Sequence, residues 1–180
     1  MNYPFIPFKV KATNVSALPT SPGNYLIVLR PSCKLPRTTI EPYFSSLEYK
    51  GEKYNIIYTG ISKNLRKRDY AQHFTGNNAG RSTLRKSLGC LMGFKQIPRD
   101  RNNPNNGKTK FCDTDEKTLS AWMADNLLLF YFANDEYEDL ELHFINQYNP
   151  PLNLKDNHNS VNSEFRRLLS NLRSPQISKH

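Results

Sequence analysis

Cysteine is scarce in this sequence, and the few cysteines are scattered. They stand at positions 33, 90 and 112, without any C-x-x-C pair. An odd, dispersed trio forms neither a disulfide framework nor a zinc knuckle, so we expect reduced thiols. No apolar run reaches the roughly 18 residues of a membrane span. The first residues lack the basic and apolar regions of a secretory signal. These absences predict a cytoplasmic chain with no membrane partner.

Several sequence motifs of common enzyme classes are also missing. The chain has no glycine-rich phosphate loop of either nucleotide-binding type, no H-E-x-x-H and no G-x-S-x-G. Its histidines, at positions 73, 143, 158 and 180, are not spaced as metal ligands. These absences argue against P-loop and dinucleotide-binding enzymes, zinc metalloproteases and serine hydrolases of the α/β type.

Positive charge is the first feature that points to a partner. The 180 residues hold 25 Lys and Arg against 16 Asp and Glu, a formal net charge of +9. Such an excess favours a polyanionic partner such as nucleic acid. Solubility alone would also account for it, so charge does not decide the function.

Apolar runs and periodicity predict a mixed α/β fold, with a small, mainly antiparallel sheet of three or more strands flanked by helices. Prolines and the lack of periodicity over 1–22 predict an extended arm, and 30–53 reads as an irregular insert. The run 126–132 fits a strand or a helix continuation, and we favour a strand. The predicted strands are 25–29, 54–58 and 126–132, with a hairpin of 94–97 and 110–112. The predicted helices are 63–74, 82–91 (ended by Gly89), 115–124, 135–148 and 160–173.

Four side chains stand out as candidates for chemistry. Glu141 lies at the edge of an apolar helical stripe, where a carboxylate is costly unless it is paired or holds a cation. A salt bridge to an arginine of the first helix would also explain it. Arg68 borders the packed side of its helix, although a solvated basic face is the simpler alternative. Tyr25 and Tyr58, on neighbouring strands, could share a site or simply belong to the core.

Together these residues form a pattern that resembles the GIY-YIG nuclease superfamily. The tripeptide GNY ends at Tyr25, and the tripeptide YTG begins at Tyr58. Arg68 follows Tyr58 by ten residues. Glu141 opens the segment ELHFI, and PPLN ends at Asn153. The resemblance covers roughly residues 22–76 and 126–153. It implies a catalytic domain over 23–153 with inserts at about 30–53 and 76–125, preceded by an arm over 1–22 and followed by a helical extension over 154–180.

The resemblance also implies roles for individual residues. Arg68 is the expected catalytic arginine, Glu141 the ligand of Mg²⁺ (or Mn²⁺), and Asn153 the asparagine near the site, with Gly60 in support. It leaves open which tyrosine serves as the base. We favour Tyr25 as the base, with Tyr58 orienting the water or the phosphate.

Two departures from the family pattern concern spacing. Tyr25 and Tyr58 are 33 positions apart, a spacing that resembles members with longer inserts. The family often places a histidine four residues after the arginine, where this chain has Gln72 followed by His73. His73 is therefore either brought into the site by a helix irregularity or absent from it.

The expected activity is Mg²⁺-dependent endonucleolytic cleavage of DNA, with RNA left open as a substrate. The alternatives are a non-cleaving nucleic-acid-binding module on the same scaffold, or a structure-specific or RNA-directed nuclease. Basic residues expected to contact nucleic acid could equally belong to solvated surfaces. They are Lys63, Lys67, Arg99, Arg101, Lys108 and Lys110. The basic C-terminal helix is expected to pack on the domain, with a phosphate or dimer contact as the alternative.

Overall fold

A computed structural model of the protein describes residues 3–36, 38–76, 79–104 and 106–174. It confirms the mixed α+β class. A five-stranded antiparallel sheet has the order β1-β7-β2-β4-β3, and β5 and β6 pair separately. The strands are β1 (Ile6–Phe8), β2 (Gly23–Leu29), β3 (Ser46–Tyr49), β4 (Glu52–Ser62), β5 (Ile97–Pro98), β6 (Thr109–Lys110) and β7 (Leu127–Ala133). The helices are a π-helix (Arg66–Phe74), α1 (Thr83–Leu91), α2 (Asp113–Asn126), α3 (Tyr137–Tyr148) and α4 (Ser163–Arg173).

The three central strands are apolar because both faces of the sheet are covered. Every residue of β2 is buried, and β7, for which we favoured a strand over a helix, lies between β1 and β2. Alternate residues of β2 enter two different cores: Tyr25 and Ile27 face one, Leu26 and Val28 the other. A strand buried on both faces reads as a continuous apolar run rather than as an alternating one.

Two segments in which no strand was predicted, the extended arm and the irregular insert, contribute strands. Within 1–22, β1 pairs antiparallel with β7, with Pro7 opposite Phe130. Within 30–53, β3 forms a hairpin with the start of β4. Lys50 and Gly51, at the turn, have φ angles of 51° and 79°. Positive φ at both central residues is the geometry of a type I′ turn, whose twist matches that of the strands it joins. The expectation of irregular structure over 30–53 is therefore wrong for this part of the insert.

The helix predictions hold within a few residues at most ends, with two corrections. The predicted helix over 63–74 is a π-helix that begins at Arg66. The helix predicted over 82–91 does not end at Gly89 but continues to Leu91. Gly89 is required for packing instead, since a Cβ there would collide with the Phe111 ring. None of the helices in the described part of the chain is long and apolar enough to cross a membrane.

Candidate active site

The pairing of β2 with β4 places the first tyrosine against a glycine. Tyr25 stands opposite Gly60 in the register. A Cβ at Gly60 would lie 2.5 Å from the Tyr25 hydroxyl oxygen and 2.7 Å from its Cζ. The Tyr25 ring therefore lies across Gly60, and any larger residue would displace it. Gly23 also leaves no room for a side chain, since a Cβ there would collide with the carbonyl oxygen of Phe132 on β7.

Tyr25 is completely buried and its hydroxyl meets a histidine. The Tyr25 hydroxyl lies 2.8 Å from Nε2 of His73, and His73 Nδ1 lies 2.7 Å from the Ser82 hydroxyl. Burial, reinforced by the charges of Arg68 and Arg85, lowers the pKa of His73 well below its usual range. The ring is therefore neutral at physiological pH, with one nitrogen donating and the other accepting.

The π-helix explains how His73 reaches this place. A π-helix closes on the residue five positions on rather than four, as in the bond from Thr75 N to Tyr70 O of 2.9 Å. His73 follows Arg68 by five residues and is buried beneath the sheet. Gln72, at the position where the family often has histidine, accepts a 2.8 Å hydrogen bond from Arg68 Nη1. Of the two alternatives stated above, the structure has the helix irregularity.

Tyr58, in contrast, reaches a cavity of about 320 Å³ at the edge of the sheet. We call it the main cavity. Its hydroxyl lies 2.9 Å from Oγ1 of Thr83, which is exposed. Arg68, Glu141 and Asn153 line the same cavity, whereas Tyr25 does not. Four of the seven predicted site residues thus converge on the main cavity, whereas Tyr25, His73 and Gly60 do not line it.

Asn153 joins the loop after α3 to the open edge of β4. Its side-chain amide accepts from Thr59 N at 2.9 Å and donates to Thr59 O at 2.8 Å. Leu152 N also donates to Ile57 O at 3.0 Å. The Thr59 hydroxyl in turn donates to Tyr25 O at 3.0 Å. Asn153 therefore satisfies edge groups of the strand that carries Tyr58, and fixes the loop beside the cavity.

Glu141 enters the cavity from α3 and is half-buried. Burial raises the pKa of its carboxyl; Asp156 and Glu138 add to the rise, while Lys155 and Arg68 oppose it. Glu141 forms no ion pair within 4.0 Å with any described residue. The structural salt bridge considered above is therefore not found. A buried ion pair exists elsewhere, between Arg85 and Glu116 at 2.7 Å.

The donors of the main cavity suit a single hard cation. Glu141 supplies carboxylate oxygens without a paired cation, and Asp156 lines the same cavity. Oxygen donors are the ligands that Mg²⁺ prefers, with waters filling the rest of its octahedron. The described residues contain no cluster of three His, Cys, Asp or Glu side chains that could enclose a metal. The donor set therefore fits a partly hydrated ion better than a fully enclosed one.

The predicted basic residues are spread over different surfaces. Lys108 lines a second cavity, and Arg99 Nη1 donates to Gly80 O in its wall at 3.2 Å. The others line neither cavity: Lys63, Lys67, Arg101 and Lys110.

Sequence reasoning missed several residues of the cavity walls. Thr83 and Arg173 line both cavities, and Lys155 lines the main one. Arg173 ends an amphipathic helix expected to pack on the domain, and nothing in its local sequence set it apart from its neighbours. Lys155 and Asp156 directly follow the PPLN segment, so their closeness to the site could have been inferred.

Comparison with known families gives one match. The family model of the GIY-YIG catalytic domain matches residues 23–175, most of the chain and more than the predicted domain of 23–153. No curated protein and no solved structure matches the chain significantly. The matched segment contains both tripeptides and every residue that lines the main cavity. The chain therefore belongs to the GIY-YIG superfamily, and its catalytic domain identifies it as a nuclease that acts on nucleic acid.

Proposed function

We propose that this protein is a Mg²⁺-dependent DNA endonuclease that hydrolyses phosphodiester bonds in the main cavity. The observation that carries the proposal is the convergence of Tyr58, Arg68, Glu141 and Asn153 on one cavity. They come from β4, the π-helix, α3 and the loop after it. Core packing does not require an unpaired carboxylate, a guanidinium and a phenol at one opening, whereas a phosphodiesterase can use the first to hold a cation, the second to bind the phosphate and the third to transfer a proton.

Arg68 is the residue for the phosphate. Its guanidinium is held by Gln72 at 2.8 Å and by Arg81 O at 3.4 Å, and both bonds use Nη1. The orientation of the fork is thus fixed before substrate arrives. A fixed cation binds the non-bridging oxygens and stabilises the charge that grows on them in the transition state.

Glu141 is the residue for the cation. Its carboxylate is half-buried, without an ion pair, and its pKa is raised chiefly by burial. A positive ion beside it would offset the cost of that burial. Glu141 would hold the divalent cation, which would supply neutralising charge at the phosphate and a bound water of lowered pKa. Lys155 and Asp156 line the same opening and adjust the field around the carboxylate.

Tyr58 supplies the hydroxyl that accepts a proton from the attacking water, and Tyr25 supports Tyr58 from within the core. Tyr58 lines the cavity, and Thr83 holds its hydroxyl at 2.9 Å. Proton transfer requires hydrogen-bond reach of the water, and Tyr25 is completely buried. Tyr25 and His73 form a support that packs against Gly60 and Tyr58. This reverses the roles that the sequence favoured for the two tyrosines.

The test is cleavage of a covalently closed plasmid by the purified full-length chain. Parallel reactions contain single-stranded DNA or RNA, each with Mg²⁺ or with excess EDTA. A closed circle has no ends, so relaxed or linear product requires internal cleavage. We expect plasmid conversion with Mg²⁺ and none with EDTA, while binding persists in both.

The matched variants are Glu141→Gln and Asp139→Asn, each of which neutralises one carboxylate of α3. Asp139 is exposed and lies outside the cavity, so its variant should cleave as wild type does. Full-rate cleavage in EDTA would refute the dependence on a cation. Binding without any cleavage would identify the non-cleaving alternative, and cleavage confined to RNA would refute DNA as the substrate.

A further inference from the structure

A second cavity of about 300 Å³ adjoins the main one and is strongly basic. The two cavities share Arg68, Thr83 and Arg173 in their walls. Among the described residues that line the second cavity there is no Asp or Glu. Its cationic side chains come from four separate stretches of the chain: Arg68, Arg81, Lys86, Lys108 and Arg173. We call this the basic cavity.

Four cations of the basic cavity lack a counter-charge among the described residues. Within the described residues, Arg81, Lys86, Lys108 and Arg173 form no ion pair within 4.0 Å. Arg173 donates from Nη1 to the Ser87 hydroxyl at 3.3 Å, and its Nε is buried without an acceptor in the described part of the chain. Lys86 and Arg173 are partly buried, whereas Arg81 and Lys108 are exposed. A partly buried cation without a counter-charge is costly, and an anion placed beside it removes that cost.

Electrostatics of the backbone act in the same direction. Ser82 and Thr83, at the start of α1, form part of the wall, and the N-terminus of a helix favours negative charge.

Burial and the nearby charge of Arg173 lower the pKa of Lys86. Burial likewise lowers the pKa of Arg173. An anion bound beside Lys86 and Arg173 would favour the charged form of both side chains and so oppose these shifts.

We propose that the basic cavity binds a second phosphate of the nucleic-acid strand, the neighbour of the phosphate held for cleavage in the main cavity. This inference rests on the proposed function, because the substrate strand supplies both phosphates. Arg68 lies in the wall of both cavities and so stands between the two phosphates. A strand held at two successive phosphates cannot slide or rotate about one of them. The basic cavity therefore fixes the register of the scissile bond without reading the bases.

The test measures binding by the full-length chain in a Glu141→Gln background, so that no cleavage intervenes. Lys86→Met and Arg81→Gln remove cations found in the basic cavity alone. The matched controls are Lys117→Met and Arg167→Gln, which remove exposed charges outside both cavities. A fluorescently labelled DNA duplex is titrated over a range of salt concentrations, and melting curves give the folded fraction of each variant.

We expect each basic-cavity variant to bind at least about tenfold more weakly than its control, the scale of removing one charge-assisted hydrogen bond. The slope of log affinity against log salt should become shallower by about 0.9 for each phosphate that the variant no longer neutralises. Lys86→Arg, which keeps the charge, should retain most of the affinity. Equal affinity and slope in the Lys86, Arg81 and control variants would refute the second-phosphate site.

The two proposals fail in different ways. Plasmid cleavage by the wild-type chain, together with unchanged binding of the basic-cavity variants, refutes only the second-phosphate site. A wild-type chain that neither binds nor cuts nucleic acid refutes the proposed function and this inference with it. Loss of binding in step with loss of folded protein would also overturn the inference, because removing an unpaired cation should not lower the melting temperature.

Discussion

Removing the hydroxyl of each motif tyrosine should have different effects: loss of the Tyr25 hydroxyl should lower stability, and loss of the Tyr58 hydroxyl should lower cleavage. Tyr25→Phe removes the 2.8 Å hydrogen bond to Nε2 of the buried, neutral His73. A buried polar group left without a partner costs about 1–3 kcal/mol. For a chain of this size each kcal/mol lowers the melting temperature by roughly 2–4 °C. Tyr25→Phe should therefore lower it by several degrees.

Tyr58→Phe should behave in the opposite way. The partner of its hydroxyl is the exposed Thr83 at 2.9 Å, so water can take the place of the tyrosine hydroxyl. The net stability change should be about 1 kcal/mol or less. Loss of a group that transfers the water's proton should lower cleavage by about 10²- to 10⁴-fold.

The assay follows melting temperature and single-turnover plasmid cleavage on the same preparations. Tyr43→Phe is the matched control, since Tyr43 is 63 % exposed and lies outside both cavities. Suppose that Tyr25→Phe melts as wild type does and loses cleavage a hundredfold or more, while Tyr58→Phe still cleaves. The roles proposed here would then be wrong, and Tyr25 would be the base that the sequence favoured.

Three further outcomes are expected. Glu141→Gln and Arg68→Ala should each lower cleavage at least about a hundredfold, and the double variant by less than the product; an equal loss of folded protein on melting would contradict this. Burial raises the pKa of Glu141, and a metal binds the ionised carboxylate. Mg²⁺ affinity should therefore fall as the pH drops through that raised pKa. Saturating Mg²⁺ should shift the acid limb of the pH–rate profile to lower pH. Gly60→Ala should destabilise the chain by about 1–3 kcal/mol in thermal melts, since its Cβ would lie 2.5 Å from the Tyr25 hydroxyl.

The local sequence determined the elements that depend on near neighbours. The apolar runs predicted the central strands, because a strand buried on both faces needs no polar alternation. The second tripeptide and the fixed interval from Tyr58 to Arg68 lie in a short stretch, where strand and helix follow each other directly. Glu141, within α3, and Asn153, in the loop after that helix, are likewise close in the sequence. These positions could be predicted because the chemistry and its spacing are local.

Tertiary structure decided which of these side chains share a cavity. The sequence signals the π-helix only through a histidine one position later than the family pattern, and the fold decided that this histidine lies buried beside Tyr25. The burial of Tyr25 depends on Gly60, a partner in another strand.

The walls of the basic cavity show the same limit. Arg173 comes from the last helix and Lys108 from a loop before β6, yet both line the same cavity as Arg68. Charge along the sequence predicts a polyanionic partner, because net charge is a sum that does not depend on position. Where those charges come together depends on the packing of elements far apart in the chain, and only the folded structure could place them there.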